Sequence, residues 1–172
     1  MGNRKILAGF EVAKTDLGWV LIGFVDERIE RLAFGYSSRK KLLDNLYEWF
    51  TAREEAIAPY DLMKRIQAYA AGRRDLFADV KICTADATDF RRKVARQCRK
   101  IPYGKTMSYG ELAARAGSPR AARAVGSCMS TNRVPLIVPC HRVVGHDGRL
   151  VAFSSPGGCK MKQRLIDLER RS

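Results

Sequence analysis

The residues of this 172-residue chain best equipped for chemistry stand together at Pro139-Cys140-His141-Arg142, where a thiol, an imidazole and a guanidinium follow one another inside an apolar run from Leu136 to Gly145. A free thiol with a pKa near ~8.5 is only slightly ionised at neutral pH, and a neighbouring base or cation raises the fraction of thiolate, the nucleophilic form. A cysteine in such surroundings also serves as a small buried hydrophobe, so both readings stand at this point. On a strand, adjacent side chains point to opposite faces, so Cys140 and His141 would need a bend or a bridging water to act together. Glu169 is a third candidate, on the edge of a helix from about Lys160 whose apolar face is Met161, Leu165 and Leu168. A carboxylate in the last turn opposes the helix dipole. It either orients a buried imidazole, as in Cys–His–acid relays, or is a frayed terminal acid neutralised by Arg170 and Arg171. The five cysteines, Cys83, Cys98, Cys128, Cys140 and Cys159, follow no paired spacing and read as reduced thiols. With only His141 and His146 and no C-x-x-C pair, no metal site is expected, and no cofactor.

The elements that must position these groups fall into two halves. From Phe10 to about Tyr36, three apolar segments separated by Asp16-Leu17-Gly18 and Asp26-Glu27-Arg28 read as a meander of short strands. Ser37-Ser38 then precedes the stripe Leu42, Leu43, Leu46, Tyr47 and Phe50, an amphipathic helix. A second helix runs through Leu62, Ile66 and Tyr69 to near Gly72, and residues 73–87 read as a strand and connector. We expect an α/β domain over 1–86 and a mostly helical domain over 87–172. In the latter, Thr88 can cap a helix carrying Phe90, Val94, Cys98 and Ile101. Ser108-Tyr109-Gly110-Glu111 is a capping box, Gly117 breaks the helix it opens, and Ser118 is expected to cap the next, with Pro119 in its first turn. That spacing fits a helix-turn-helix, and equally any αα-hairpin. In the second of the two helices Ala121, Val125 and Cys128 are expected to face the core. Ala122, Arg123, Gly126 and Ser130 lie across from them, a smooth face suited to close approach to a backbone or a minor groove rather than to base readout. The alternative is an ordinary Ala-rich helix of good propensity.

Composition limits the function classes. Hydrophobic residues at 46% and charged residues at 29% are those of a globular chain, not a disordered one. No apolar run approaches the ~18–20 residues that span a bilayer, and no signal-peptide pattern opens the chain. A soluble monomer without a membrane partner is expected, cytoplasmic, or nuclear or nucleoid-associated. Against 18 Asp and Glu stand 32 Lys and Arg, a formal charge of +14, which points to a polyanionic partner or else only to a solubilising surface.

Ile101-Pro102-Tyr103-Gly104, Ser108-Tyr109, Arg123-Ala124-Val125-Gly126, Asn132 and Pro139-Cys140-His141-Arg142-Val143-Val144 together resemble the O6-alkylguanine-DNA alkyltransferases, or methylated-DNA–protein-cysteine methyltransferases. The resemblance runs from about Thr88 to Glu169. It implies an α/β amino-terminal domain with a short antiparallel sheet and helices, RNase H-like, followed by a mostly α domain with a winged-helix-like helix-turn-helix. It further implies single-turnover repair of double-stranded DNA, entered from the minor groove: the damaged guanine is flipped out, and the alkyl group of O6-alkylguanine, or of O4-alkylthymine, moves to Cys140. By the same resemblance, His141 acts through water as the base, Glu169 orients it, and Asn132 holds the nucleophile's loop. Tyr109 donates to the leaving guanine, and Arg123 fills the gap in the duplex beside Ala122, Gly126, Ser130 and Arg120. Val143, Phe153 and Ser154 line the guanine pocket. This chain departs from the family in having Ala152-Phe153 for Gly-Tyr, in two added residues at Ser155-Pro156, and in Ala95 for a Trp. Without first-half histidines it also lacks the zinc ligands of some relatives. Two rivals remain: a non-catalytic alkyltransferase-like lesion binder, disfavoured because Cys140 is present, and a helix-turn-helix regulator, disfavoured by the smooth face.

Overall fold

The structure, a computed structural model, describes residues 5–52, 55–151 and 153–171, without the side chains of residues 5, 6 and 45–52. The chain divides into two compact units, one of residues 1–73 with 79–83, the other of residues 74–78 with 84–172.

In the first unit, strands β2 (Gly9–Thr15), β3 (Gly18–Val25) and β4 (Arg28–Tyr36) form the antiparallel meander read from the sequence. Each turn has a physical cause. Thr15 pairs with Gly18 across Asp16-Leu17, and Gly18 adopts φ +90°, a left-handed conformation that glycine takes without strain. Val25 pairs with Arg28 across Asp26-Glu27, with Asp26 at φ +51°. Four consecutive residues of the central strand, Val20 to Gly23, are buried, so β3 is covered on both faces. Leu7, Phe10, Leu21 and Leu42 form one cluster, with Trp19 and Tyr36 packed against it. Helix α1 (Arg39–Trp49) begins where the Ser38 hydroxyl accepts the Lys41 N–H. It stops one residue short of the expected stripe, because Phe50 opens a short strand, β5 (Phe50–Ala52), parallel to β1 (Lys5–Leu7). The side chains of Leu46, Tyr47 and Phe50 lie outside the described residues. Helix α2 (Leu62–Ala70) buries Leu62, Ile66 and Tyr69 as expected. In place of a strand over 73–87 there is a single parallel bridge, Ile82 to Ile29 of β4.

The second unit holds helix α3 (Asp89–Cys98), strand β6 (Met107–Ser108), helices α4 (Tyr109–Arg115) and α5 (Ala122–Ser130), strand β7 (Val143–Val144) and helix α6 (Gly158–Arg171). Thr88 caps α3 by accepting the Arg91 N–H, and the capping box opens α4 with both of its bonds, Glu111 N–H to Ser108 Oγ at 3.1 Å and Ser108 N–H to Glu111 Oε2 at 2.7 Å. Ser118 is not the cap of α5. Its N–H bonds back to Ala113 O while Gly117, at φ +83°, bonds to Ala114 O, a Schellman closure of α4. The Ser118 carbonyl then accepts the Ala121 N–H in a turn through Pro119-Arg120, and α5 starts only at Ala122. The core side of α5 is Val125 and Met129, with Ala121 and Cys128 half-buried. Strand β7 pairs in parallel with β6, Val143 against Met107 and Val144 against Ser108. Among the described residues no helix is long and apolar enough to cross a membrane.

Candidate active site

The Pro139-Cys140-His141-Arg142 segment is a bend rather than a strand. Pro139 sits at φ −77°, ψ +67°, an inverse γ-turn that brings the Cys140 N–H to Val138 O at 2.7 Å, and Cys140–Arg142 follow as one turn of 3-10 helix. The turn removes the strand alternation that would have set thiol and imidazole on opposite faces. Cys140, His141 and Arg142 are all buried. Asn132, just beyond α5, donates from one amide nitrogen both to Val138 O at 2.8 Å and to Cys140 Sγ at 3.1 Å, while its oxygen accepts the Val134 N–H at 3.1 Å.

Helix α6 supplies the acid. Its buried side is Lys162, Leu165, Ile166 and Glu169, one residue round from the expected Met161–Leu165–Leu168 face, and Glu169 is not frayed but 3% exposed. Glu169 Oε1 meets His141 Nε2 at 2.7 Å, and Arg142 grips both oxygens, Nη2 to Oε1 at 2.8 Å and Nε to Oε2 at 2.9 Å. The Gly104 N–H adds a bond to Oε2 at 3.0 Å. Burial alone would raise the carboxyl's pKa, but the hydrogen bonds and charge of His141 and Arg142 hold it far below the usual carboxylate range. An ionised carboxylate only accepts, so His141 Nε2 carries the proton and Nδ1 of the neutral ring is the free base. Nδ1 is buried without a protein hydrogen-bond partner among the described residues. Burial lowers the imidazole's pKa, against the pull of Glu169.

Two buried groups escape a reading of the sequence. Arg142 stands out there only as a charge beside the thiol, and Lys162 does not stand out at all. Lys162 is 1% exposed and has no carboxylate partner among the described residues; its ammonium reaches Val151 O at 3.3 Å and the Tyr109 hydroxyl at 3.5 Å. A lysine at i−3 from Leu165 and i−7 from Glu169 on α6 is the available signal, since that spacing turns it onto the buried face. Burial lowers the Lys162 pKa while the neighbouring thiols raise it. Burial likewise pushes the Cys140 thiol up, opposed by the Asn132 hydrogen bond and the Lys162 charge. Tyr109, half-buried at the start of α4, is pushed up by burial and by the nearby Cys140.

Cys140, His141 and Glu169 thus meet in the interior with the half-buried Asn132 against the thiol, and Tyr109 is joined to them through Lys162. Arg123 and Ser130 are exposed on α5, with Ala122 and Gly126 half-exposed, and Arg120 is exposed in the preceding turn. Val143 is fully buried in β7, Phe153 is half-buried and Ser154 exposed, while Ala152 lies outside the described residues. Of the 32 basic and 18 acidic residues, 19 and 7 belong to this unit, so it carries +12 of the chain's +14.

A family model for the 6-O-methylguanine DNA methyltransferase DNA-binding domain matches residues 89–171. The methylated-DNA–protein-cysteine methyltransferase of Methanosarcina barkeri is 31% identical over 163 residues, covering 95% of this chain and 98% of that one. The constitutive enzyme of Bacillus subtilis is 32% identical over 166 residues, covering 95% and 96%. Among solved structures, Mycobacterium tuberculosis OGT in complex with DNA superposes with a TM-score of 0.76 at 29% identity, covering 95% of this chain and 94% of that one. Similar to these relatives over nearly its whole length, the chain belongs to the methylated-DNA–protein-cysteine methyltransferase family, the direct-reversal DNA repair enzymes that act on O6-methylguanine.

Proposed function

We propose that Cys140 is the alkyl acceptor and that each molecule reacts once. The observation that carries this is a buried His141, bonded to Glu169 of α6, on the same turn as a buried, Asn132-bonded thiol. In this reading the Cys140 proton passes through a water to His141 Nδ1, and the thiolate attacks the O6-alkyl carbon. The S–C bond forms as the C–O bond breaks, and the electron pair enters the guanine ring, which takes a proton from the Tyr109 hydroxyl. Lys162, 3.5 Å from that hydroxyl, eases the phenol's loss of its proton, which solvent then replaces. The product thioether offers no low-barrier return.

The DNA we propose is double-stranded and approached from the minor groove by α5, with Arg123 filling the gap of the flipped base and Ala122, Gly126, Ser130 and Arg120 beside it. The charge of the helical unit supports this. So does Gly126: apart from its chain neighbours and the backbone of its own helix, nothing among the described residues lies within 4 Å of where its Cβ would be, so packing against the rest of the chain does not require a glycine. Val143, Phe153 and Ser154 form the guanine pocket in this reading. We further read the first unit as RNase H-like and the second as winged-helix-like, supported by the three-stranded meander with helices and by the α3–α4–α5 cluster with its β6–β7 pair.

The test is the intact mass of the protein after incubation with a duplex containing O6-methylguanine, followed by peptide mapping. A gain of one methylene on the Cys140 peptide, saturating at one per chain, is expected. Tight binding without a mass change would favour a lesion sensor instead.

A further inference from the structure

The Glu169 carboxylate is saturated. Oε1 takes hydrogen bonds from His141 Nε2 and Arg142 Nη2, and Oε2 takes them from Arg142 Nε and the Gly104 N–H, which fills the roughly four lone-pair sites a carboxylate offers. Only one of the four bonds goes to the imidazole. The Arg142 fork is itself fixed, since Nη1 donates to Ile101 O at 2.7 Å and the guanidinium lies 5.6 Å from the centre of the Tyr103 ring. The Ile101–Gly104 turn and the Cys140–Arg142 turn therefore meet at one carboxylate near the C-terminal end of α6.

A buried carboxylate facing an imidazole with no other cation favours the imidazolium, and an imidazolium cannot take a proton from a thiol. We propose that Arg142 is a positioning residue for the transfer: its guanidinium locks the Glu169 carboxylate with one lone pair left for His141 and takes up the carboxylate's charge, so that the imidazole remains a base instead of becoming a fixed imidazolium. Bidentate geometry makes this a task for arginine, because a lysine at position 142 would supply the charge without the fork. The charged and titratable groups around His141 are Glu169 and Lys162 from α6, Arg142 from its own turn, the Cys140 thiol beside it, and Cys98 from α3, which couples to Cys140, Arg142 and Lys162. Of the two neighbouring cations, Arg142 alone touches Glu169 in the described structure.

The inference rests on the Glu169–His141 relay, and the experiment separates the two. Imidazole nitrogen NMR on the full-length Cys140→Ala variant follows His141 without a titrating thiol, and His146→Gln assigns the second of the two histidines. In that background His141 is expected to carry its proton on Nε2 and to titrate below an ordinary histidine. Adding Arg142→Gln is expected to raise its proton affinity about tenfold or more, and adding Arg142→Lys by less, with the tautomer no longer unique. A midpoint at or above the ordinary value with Arg142 intact would overturn the proposal, and that reading needs no Arg142 variant to fold. So would an Arg142→Gln or Arg142→Lys midpoint that does not move in a folded protein. Failure of the relay itself would appear elsewhere, as His141→Gln or Glu169→Gln chains that transfer the methyl group at the unaltered rate.

Discussion

Asn132 ties the Cys140 thiol to its loop with a single amide, donating to Val138 O and Cys140 Sγ and accepting the Val134 N–H. A hydrogen bond to the sulfur favours the thiolate, so Asn132→Ala should raise the thiol's pKa and slow transfer about tenfold at neutral pH, the order expected of a hydrogen bond to a charged group. The rate as a function of pH checks it: the midpoint should move to higher pH, and a uniformly lowered profile would mean that only the loop was disturbed. Lys162 acts on stability in the opposite sense. Among the described residues the buried Lys162 ammonium has no carboxylate partner, and burial holds its folded pKa below the unfolded value, so the fold is penalised at every pH where the unfolded lysine is charged. Lys162→Met should therefore raise the unfolding temperature at pH 7, by an amount that shrinks as pH rises towards the ordinary lysine pKa near ~10.4. Methyl transfer should slow in the same variant, because the charge beside Cys140 and Tyr109 is gone. A variant that is both less stable and fully active would contradict both expectations.

The caps show which local signals are self-sufficient. Thr88 and Ser108 act within their own first turn, so their neighbours in sequence suffice to find them. Ser118 has the residue type and the following proline of a cap, but its N–H is already committed to closing α4 behind Gly117, and its carbonyl to the turn ahead of α5. Two short helices in succession compete for one residue, and the sequence pattern does not say which wins. The buried face of α6 is displaced for a related reason: apolar periodicity favours Leu168, whereas His141, Arg142 and Gly104 pull Glu169 inward, and these partners are 65 to 27 residues away in the chain. Two glycines differ in the same way, one held by distant partners and one not. Gly104 has φ +73°, and a Cβ there would stand 2.9 Å from Glu169 O, so Gly104→Ala should destabilise the fold by roughly 2 kcal/mol and loosen the acid. Gly126 lies inside α5 with open space beyond it, so Gly126→Ala should stabilise the fold by about 0.5–1 kcal/mol. If α5 approaches DNA closely, that same substitution should weaken duplex binding. Urea unfolding alongside a binding titration would decide, and unchanged affinity would remove α5 from the interface.

The charge of the chain is legible from a first count, but not its distribution, which depends on where the units divide. The first unit holds 13 basic and 11 acidic residues and is nearly neutral, and residues 74–78 bring Arg74 into the helical unit while 79–83 stay with the first. A polyanion attracted by the whole molecule would respond to charges removed anywhere; one bound by the helical unit would not. Each phosphate that a substitution leaves without its cation should reduce the slope of log affinity against log salt by about 0.9 on duplex DNA. Arg123→Ala should therefore flatten that slope by close to the value for a single phosphate, whereas Lys40→Ala and Lys64→Ala, which remove exposed first-unit charges already paired with Asp44 and Asp61, should leave it unaltered. The comparison belongs on undamaged duplex, where the electrostatic component is read without the cost of flipping a base. Equal slopes for all three variants would reduce the +14 to a solubilising surface and leave lesion recognition to the pocket alone.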